Sequence, residues 1–324
     1  MKRTVLHPLI CPPIGFGTGL IRSIFYYIIA FMARPHIIVI AGPTASGKSA
    51  RAFKLARKLK GEIVSADSRQ VYKGLDIGTA KPSKREQRSI PHHCIDLASP
   101  KKTLTVTEYQ KAALRAIKKI LAKDKTPIIV GGTGFYIDAI LYDTAFPEVP
   151  PNPALRRKLE KLSAAKLFAM LKKLDPARAE NIDTKNPRRL MRAIEIARTL
   201  GRVPTLTKAP RFDAKIILLN PSKATLQKNI ARRTNQMLKA GLLDEVRKLV
   251  RTRIPRARIL ELGFEYRYPL LYLEHQISKD EMIAKINTEN WRYAKRQQTW
   301  FKKAFAKANQ NFQINIWELI NKLV

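Results

Sequence analysis

One short segment, residues 42–49, constrains this chain more than any other. Its sequence, Gly-Pro-Thr-Ala-Ser-Gly-Lys-Ser, satisfies every fixed position of the phosphate-loop pattern G-x-x-x-x-G-K-[ST]. The apolar run at 37–41 predicts a buried strand before it, and apolar residues at helical spacing from Ser49 to Lys60 predict a helix after it. A strand, a glycine-rich loop and a helix in this order bind phosphate groups through backbone N–H groups. The pattern indicates a polyphosphate ligand but does not specify a nucleotide.

The side chains of this loop have distinct expected roles. Lys48 is expected to reach the terminal phosphates, and the Ser49 hydroxyl is expected to hold a Mg²⁺ ion. The predicted phosphate-binding residues are Gly42, Pro43, Thr44, Ala45, Ser46, Gly47, Lys48 and Ser49.

The charge balance indicates an anionic partner. Lys and Arg together number 62 against 25 Asp and Glu, which gives a net charge of +37 over 324 residues. Such an excess favours nucleic acid first and an anionic membrane second, and the alternative is a generally basic proteome. Cys11 and Cys94 form no disulfide framework and suggest a reducing compartment, so we predict a cytoplasmic protein.

The first 33 residues resemble a signal sequence or a short anchor, because an uncharged apolar run at 24–33 follows Arg22. This run is shorter than the about 20 residues that span a bilayer, and the first core strand begins almost at once. We therefore expect no stable membrane association and an N-terminal extension that is either disordered or an incorrectly assigned start. Our hypothesis is that translation starts at Met32.

Predicted strands and helices alternate through the first half of the chain. Strands are expected at 37–41, 62–66 and 127–130, and a helix at 105–123 opens with a capping box. This alternation predicts an α/β fold with a doubly wound parallel sheet of the phosphate-loop NTPase type.

Three polar residues follow the predicted strands, at the edge where the carboxyl ends of parallel strands meet. We expect Ser46, Asp67 and Thr133 to lie together there. Asp67 is the acid that ends a predicted strand at this edge, so it is a candidate for contacting a nucleophile. The alternative is that it caps a helix.

Proline-rich residues 147–153 mark a boundary, after which the pattern becomes helical at 153–161, 163–174 and 187–200. A strand returns at 215–219, and further helices follow. The predicted parts are an extension at 1–33, an α/β core at 34–146, an all-helical insertion at 147–211, and a return of the core with a basic helical C-terminal region at 212–324.

The segment His92-His93-Cys94-Ile95-Asp96 contains four residues of types that bind metals. Adjacent side chains cannot all converge on one ion, and no second ligand pair follows at metal-site spacing. We predict a structural turn here and not a metal site.

Six segments together resemble the tRNA dimethylallyltransferase (isopentenyltransferase) family. They lie in the family order across about 40–305, and the segment at 67–82 is the most specific of them. The segments are 42–49, 67–82, His92-His93, 130–136 (VGGTGFY), 186–190 (NPRRL) and 294–301 (AKRQQTWF).

The resemblance implies a Mg²⁺-dependent prenyl transfer. Dimethylallyl diphosphate would be the donor, and the exocyclic amine of the adenosine 3′ to the anticodon would be the acceptor, in tRNAs that decode codons beginning with U. Asp67 would take the proton of the attacking amine, and Thr133 and Arg233 would stabilise charge on the diphosphate.

The resemblance also implies a monomer that binds the anticodon stem-loop of tRNA and turns the target base out of its stack. Basic side chains with interleaved aromatic residues near 295 are typical of a nucleic-acid surface, and we expect Trp300 to lie in the core. The implied tRNA-binding residues are Asp67, Ser68, Arg69, Gln70, Arg156, Arg188, Arg189, Leu190, Met191, Arg192, Lys295 and Arg296.

Two positions depart from the family pattern. The turn Gly263-Phe264-Glu265-Tyr266 replaces Gly-Tyr followed by a basic residue, and Thr234 stands after Arg233 where the family has a hydrophobic or aromatic residue. Two other functions stay open at this point: a phosphate-loop kinase or NTPase with a basic helical domain, and a non-enzymatic RNA-binding module that uses the loop to hold phosphate.

Overall fold

The computed structural model of the protein describes residues 34–144, 146–205 and 209–305. The predicted extension at 1–33 and the start at Met32 lie outside the described residues. No helix in these ranges is both long enough and apolar enough to span a membrane. The strands are His36–Ala41 (β1), Glu62–Ser65 (β2), His92–His93 (β3), Pro127–Gly131 (β4), Tyr142–Asp143 (β5), Ala209–Pro210 (β6) and Asp213–Leu218 (β7).

The helices follow the strands through the core and then form the insertion and the C-terminal region. They are Lys48–Lys58 (α1), Lys84–Ser89 (α2), Val106–Leu121 (α3), Gly134–Leu141 (α4), Pro153–Leu159 (α5), Ala164–Leu174 (α6), Pro176–Glu180 (α7), Pro187–Leu200 (α8), Lys223–Lys239 (α9), Leu242–Arg251 (α10), Arg256–Glu261 (α11), Phe264–Leu273 (α12) and Lys279–Phe305 (α13).

Five parallel strands form the central sheet in the order β3-β2-β4-β1-β7. Helices cover both faces of the sheet, so side chains on either face of a middle strand pack against the protein interior. The middle strands are therefore continuous apolar runs, without the alternation of apolar and polar residues. Val39, Val64 and Ile129 pack on one face, and Ile40 and Ile128 pack on the other. The predicted α/β fold with a doubly wound parallel sheet is confirmed, and the carboxyl ends of β1, β2 and β4 lie side by side.

The C-terminal helices complete the larger core and do not form a separate body. Val246 of α10, Leu270 of α12 and Phe301 of α13 are buried in the same apolar cluster as β1 and β4. Trp300 is only half-buried at the margin of this cluster, so our expectation for it was wrong: the neighbouring Phe301 occupies the core position. Because α13 packs against this core through Phe301, the polar face of the helix lies beside the phosphate loop.

Helix ends were predicted well because their signals are local. The Asn186 side chain accepts a hydrogen bond from Arg189 N, Pro187 is the first residue of α8, and Gly201 ends the helix with φ of 78°. The capping box of Thr105 and Glu108 opens α3 as expected.

The insertion has an apolar cluster of its own, built on α5, α6 and α8. This cluster supports the predicted division of the chain, which stays a prediction. Two features were missed: the short helix α7, and the antiparallel pair of β5 with β6, which places a two-residue strand inside the range predicted to be all helical. A two-residue ladder has no periodicity for the sequence to show.

His92 and His93 form β3, the edge strand, and the predicted turn is confined to residues 94–96, where the chain bends and Cys94 and Asp96 have positive φ. His93 Nε2 lies 2.7 Å from the buried carboxylate of Glu62, which also accepts hydrogen bonds from Lys123 and Lys125. Although burial opposes ionisation, these hydrogen bonds lower the pKa of Glu62 to about 2. Among the described residues, no three His, Cys, Asp or Glu side chains group as a metal site.

A buried carboxylate joins the parts of the insertion. Glu195 of α8 accepts two hydrogen bonds of 2.8 Å from the Arg156 guanidinium, one of 3.3 Å from Arg192 and one of 3.0 Å from the backbone N–H of Asn152. Burial raises the pKa of Glu195, but these donors outweigh it and hold the pKa below its usual range. Arg156 therefore has a structural partner inside the protein.

We predict that Arg156→Ala lowers the free energy of unfolding by about 1–2 kcal/mol at pH 7, because Arg192 and Asn152 still hold the carboxylate. The loss should shrink as pH falls through the lowered pKa of Glu195, since the ion pair stabilises only the charged form. Urea unfolding at pH 7 and pH 3 measures both effects. Arg189→Ala, which removes an exposed arginine of the same insertion, should change stability by less than about 0.5 kcal/mol; equal effects of the two variants would contradict the structural role.

Candidate active site

A cavity of about 310 Å³ opens at the carboxyl ends of β1, β2 and β4. The phosphate loop, the segment after β2 and the turn after β4 form its floor. Loop 76–82 and helices α9, α12 and α13 form its walls. Residues from both ends of the chain therefore share one site.

The phosphate loop runs from the end of β1 into α1 as predicted. Lys48 lies inside the cavity, and its ammonium donates hydrogen bonds to the Pro43 carbonyl and, at 3.4 Å, to Ser46 Oγ. The pKa of Lys48 is lowered to about 7: burial is the main cause, the charge of Asp67 opposes the shift, and the charge of Arg233 adds to it. A desolvated cation in such a place favours an anionic ligand, which restores the lost stabilisation of its charge.

Helix α9 supports the outer side of the loop. Arg233 donates a hydrogen bond of 3.3 Å to Thr44 Oγ1 and lines the cavity, and Asn229 donates one of 3.0 Å to the Ala45 carbonyl. The departure at Thr234 does not disturb this arrangement. Its buried hydroxyl donates to Asn287 Oδ1 at 2.7 Å and so joins α9 to α13, and its oxygen lies 3.2 Å from Ile230 O within the helix.

Asp67 lies where β2 ends and lines the cavity. Its Oδ1 accepts hydrogen bonds from the backbone N–H groups of Arg69, at 2.8 Å, and Gln70, at 3.3 Å. These bonds fix the carboxylate as part of a turn, and within the described part of the chain they involve Oδ1 alone. Oδ2 is thus available to a ligand that donates an N–H group.

Thr133 lies against the 66–68 segment, and its hydroxyl has protein partners. Of the three residues expected to lie together, Asp67 lines the cavity, while Ser46 and Thr133 are not among the residues that line it. The Oγ1 of Thr133 accepts a hydrogen bond of 3.1 Å from Ser68 N, and the cavity wall at this point is formed by Gly131 and Gly132. Gly131 permits the close approach of the strands, since a Cβ there would overlap the Ala66 carbonyl. The geometry gives Thr133 a role in holding the 66–68 segment.

Glu245 of α10 binds three successive backbone N–H groups of loop 76–82. Its carboxylate accepts hydrogen bonds from Asp76 N (2.9 Å), Ile77 N (2.8 Å) and Gly78 N (3.0 Å), and from the Tyr266 hydroxyl (2.8 Å). Sequence analysis missed this residue, since a glutamate in the first turn of a helix is common and its partners are distant in the chain. The contact fixes one wall of the cavity.

Gln297 of α13 is the second residue that sequence analysis did not single out. Its Oε1 accepts a hydrogen bond of 2.8 Å from Thr44 N, and its Nε2 donates one of 2.8 Å to Gly132 O. The side chain is buried, so it joins the phosphate loop to the turn after β4 through a single amide. Its membership of the 294–301 segment was the available signal.

The predicted tRNA-binding residues are divided between the cavity and the outer surface. Asp67, Ser68, Arg69 and Gln70 line the cavity. Four side chains on the surface are exposed, namely Arg188, Arg189, Lys295 and Arg296, and three are half-buried, namely Arg156, Met191 and Arg192.

Leu190 does not belong with them. It is fully buried in the core of the insertion, so its side chain positions α8 and cannot contact RNA.

Helix α13 presents cations over aromatic rings next to the cavity. Lys295 Nζ lies 5.7 Å from the centre of the Trp291 ring, and the Arg296 guanidinium lies 5.8 Å from that of Tyr293. Such pairs suit an RNA strand, since bases can stack on the aromatic rings and phosphates can bind to the cations.

The oxygen atoms of the protein near the phosphate loop fit a magnesium ion that is held mainly by the phosphate groups of a bound molecule. The Ser49 hydroxyl is exposed in the first turn of α1, and it lines the cavity together with the Asp67 carboxylate. Mg²⁺ prefers hard oxygen ligands and usually binds through one or two protein groups plus phosphate oxygens and water. Ser49 would hold such an ion.

Comparison with known proteins agrees with this geometry. The family model described as IPP transferase matches residues 70–304. The chain belongs to the IPP transferase family. It is 40% identical over 280 residues to a tRNA dimethylallyltransferase of an Exiguobacterium species, covering 85% of this chain and 89% of that protein.

Solved structures of the family are similar as well. A tRNA isopentenylpyrophosphate transferase of Staphylococcus epidermidis aligns with a TM-score of 0.60 at 35% identity, covering 83% of this chain and 90% of that one. A eukaryotic dimethylallyltransferase described as acting on tRNA aligns with a TM-score of 0.72 at 27% identity, covering 82% and 70%. The fold predicted from the phosphate loop is that of this family.

We predict that Gln297→Ala weakens binding of inorganic pyrophosphate by about tenfold, because it leaves Thr44 N and Gly132 O without their partner and loosens the loop. Isothermal titration calorimetry measures the affinity. Gln298→Ala is the matched control, since the Gln298 amide bonds to Asn220 at an exposed site and the variant should bind as the wild type does. An unchanged affinity of Gln297→Ala would show that the loop is held without this amide.

Proposed function

We propose that this protein transfers the dimethylallyl group of dimethylallyl diphosphate to tRNA. The acceptor is the exocyclic N6 amine of the adenosine 3′ to the anticodon, in tRNAs that decode codons beginning with U, and the product is N6-(dimethylallyl)adenosine. The names of the family members and the composition of the cavity support this proposal.

The observation on which the proposal depends is the unequal distribution of charge in one cavity. Lys48 and Arg233 are at the phosphate loop, whereas the Asp67 carboxylate is at the end of β2. The first group suits a diphosphate, and the second accepts a hydrogen bond from an amine. A donor diphosphate and an amine acceptor would thus meet between them.

The residues of the cavity can serve each part of the transfer. The N6 lone pair attacks C1 of the allyl group, a C–N bond forms, and the C–O bond breaks with its electron pair leaving on pyrophosphate. Asp67 Oδ2 takes the proton that N6 loses. Lys48 and Arg233 bind the oxygens on which charge develops, and bound Mg²⁺ would add positive charge there.

Thr133 contributes through position in this scheme. By holding Ser68 N it fixes the turn in which Asp67 lies, and its contact with the Tyr293 hydroxyl extends this support to α13. A fixed carboxylate favours the one geometry in which N6 attacks and loses its proton.

The acceptor base has to leave its stack to reach the cavity. The exposed cations of α8 and α13 would bind the phosphates of the anticodon stem-loop, and the aromatic residues of α13 would stack on unpaired bases. We propose that the protein acts as a monomer in the cytoplasm, where its substrate tRNA is found. A phosphate-loop kinase, the main alternative, is not favoured by the family comparison.

We predict that purified protein transfers label from dimethylallyl diphosphate to unmodified tRNA, and that Asp67→Ala lowers the rate at least about 10²-fold while tRNA affinity stays nearly constant. Filter binding and label incorporation measure the two quantities. Glu261→Gln, which alters an exposed carboxylate on α11, is the control and should retain the full rate. Phosphate release from ATP without label in tRNA would contradict the proposal and favour a kinase.

We also predict a proton uptake that depends on Lys48. At pH 8 a lysine with a pKa of about 7 is mostly neutral, and a bound pyrophosphate favours its charged form. Binding should therefore take up close to one proton more in the wild type than in Lys48→Arg, whose side chain is always charged. Affinity should fall as pH rises through 7. Calorimetry in buffers of different ionisation enthalpy measures the uptake, and equal uptake by both proteins would contradict the lowered pKa.

A further inference from the structure

A carboxylate with no part in the proposed transfer lies on the wall of the same cavity. Glu265 is half-buried at the start of α12, in the turn that departs from the family pattern. Its Oε1 accepts a hydrogen bond of 3.0 Å from Nδ2 of the buried Asn290. Nδ2 also donates to Ile286 O, so the Asn290 amide is fixed and holds Glu265 in place.

Aromatic rings lie beside this carboxylate. Phe264 and Tyr293 both line the cavity and contact each other edge to face, with ring centroids 6.2 Å apart. Burial raises the pKa of Tyr293 to about 12, further above physiological pH, where a tyrosine is neutral in any case. Neutral rings next to a hydrogen-bond acceptor are suited to a planar base that presents an N–H group.

The position of Glu265 associates it with the base and not with the diphosphate. A Cβ added to Gly263 would lie 3.3 Å from Glu265 Oε2 and 3.9 Å from Arg69 Nε, so both groups lie on the same side of the turn. Arg69 belongs to the 67–70 segment, whereas the phosphate end of the cavity is formed by Lys48 and Arg233. A carboxylate only accepts hydrogen bonds, so it disfavours phosphate and carbonyl oxygens and favours amines.

We propose that Glu265 accepts a hydrogen bond from the exocyclic amine of a nucleobase that flanks the target adenosine. Glu265 is then a specificity-determining residue of the reaction, and this inference rests on the proposed function. The amine of the target faces Asp67, so the second amine belongs to the nucleotide on its 5′ or 3′ side. A flanking base without an amine removes this one hydrogen bond and leaves Glu265 with Asn290 alone, which should cost roughly tenfold in kcat/KM.

The test compares anticodon stem-loops with adenosine or purine riboside at the 5′ or the 3′ flanking position. Purine riboside lacks the amine and adds no other group, so it keeps the stacking surface. The wild type should prefer adenosine by roughly tenfold at one of the two positions. Glu265→Gln keeps an oxygen for Asn290 but turns an NH₂ group toward the base, so its preference should fall to near one.

Glu261→Gln provides the matched control, because its exposed carboxylate pairs with Arg258 on α11 and it should keep the wild-type preference. The preference is the ratio of the kcat/KM values for two substrates measured on one protein preparation, so it does not depend on how much of each variant folds. Equal ratios for wild type and Glu265→Gln at both positions would overturn the role of Glu265. If the wild type transfers no prenyl group to any stem-loop, the proposed function fails and this inference fails with it.

Discussion

The buried amide of Gln297 is the contact on which the geometry of the cavity depends. It joins Thr44 N, 253 residues earlier in the chain, to Gly132 O, 165 residues earlier. A phosphate loop needs its N–H groups held in fixed directions, and a loop of small residues has few side chains of its own to hold them. An amide is suited to this position because it both donates and accepts, so one side chain satisfies two buried backbone groups.

The same principle fixes the opposite wall of the cavity. Glu245 binds the N–H groups of residues 76–78, which would otherwise have no partner in an irregular loop, and the Tyr266 hydroxyl adds a fourth donor to this carboxylate. Loops that contact substrate carry unpaired backbone groups, and these are costly when buried. Helices α10 and α13 thus act on the site through the backbone of loops that precede them in the chain.

How much the sequence predicts depends on how far each interaction extends along the chain. The phosphate loop, the strand ending at Asp67 and the caps of α3 and α8 have signals within a few residues, and each was found. Glu245 and Gln297 have partners far away in sequence, so helical periodicity does not distinguish them from other polar residues on amphipathic helices. Gln297 belongs to the 294–301 segment, but that segment does not indicate what its side chain contacts. Leu190 shows the opposite error. It was predicted to bind tRNA because it belongs to the 186–190 segment, although helical periodicity places its side chain in the core.

The net charge of +37 explains attraction to RNA but cannot explain selection among bases. Lysine and arginine on α8 and α13 would act on phosphates, which every RNA has, and the effect of such charges extends over about 8 Å in physiological salt. Selection requires groups that distinguish amine from carbonyl edges at contact distance. We propose Asp67 and Glu265 for this part, two of the acidic residues of a basic chain. Both are fixed by hydrogen bonds, Asp67 to backbone N–H groups and Glu265 to the Asn290 amide. Long-range attraction and short-range discrimination are therefore assigned to side chains of opposite charge.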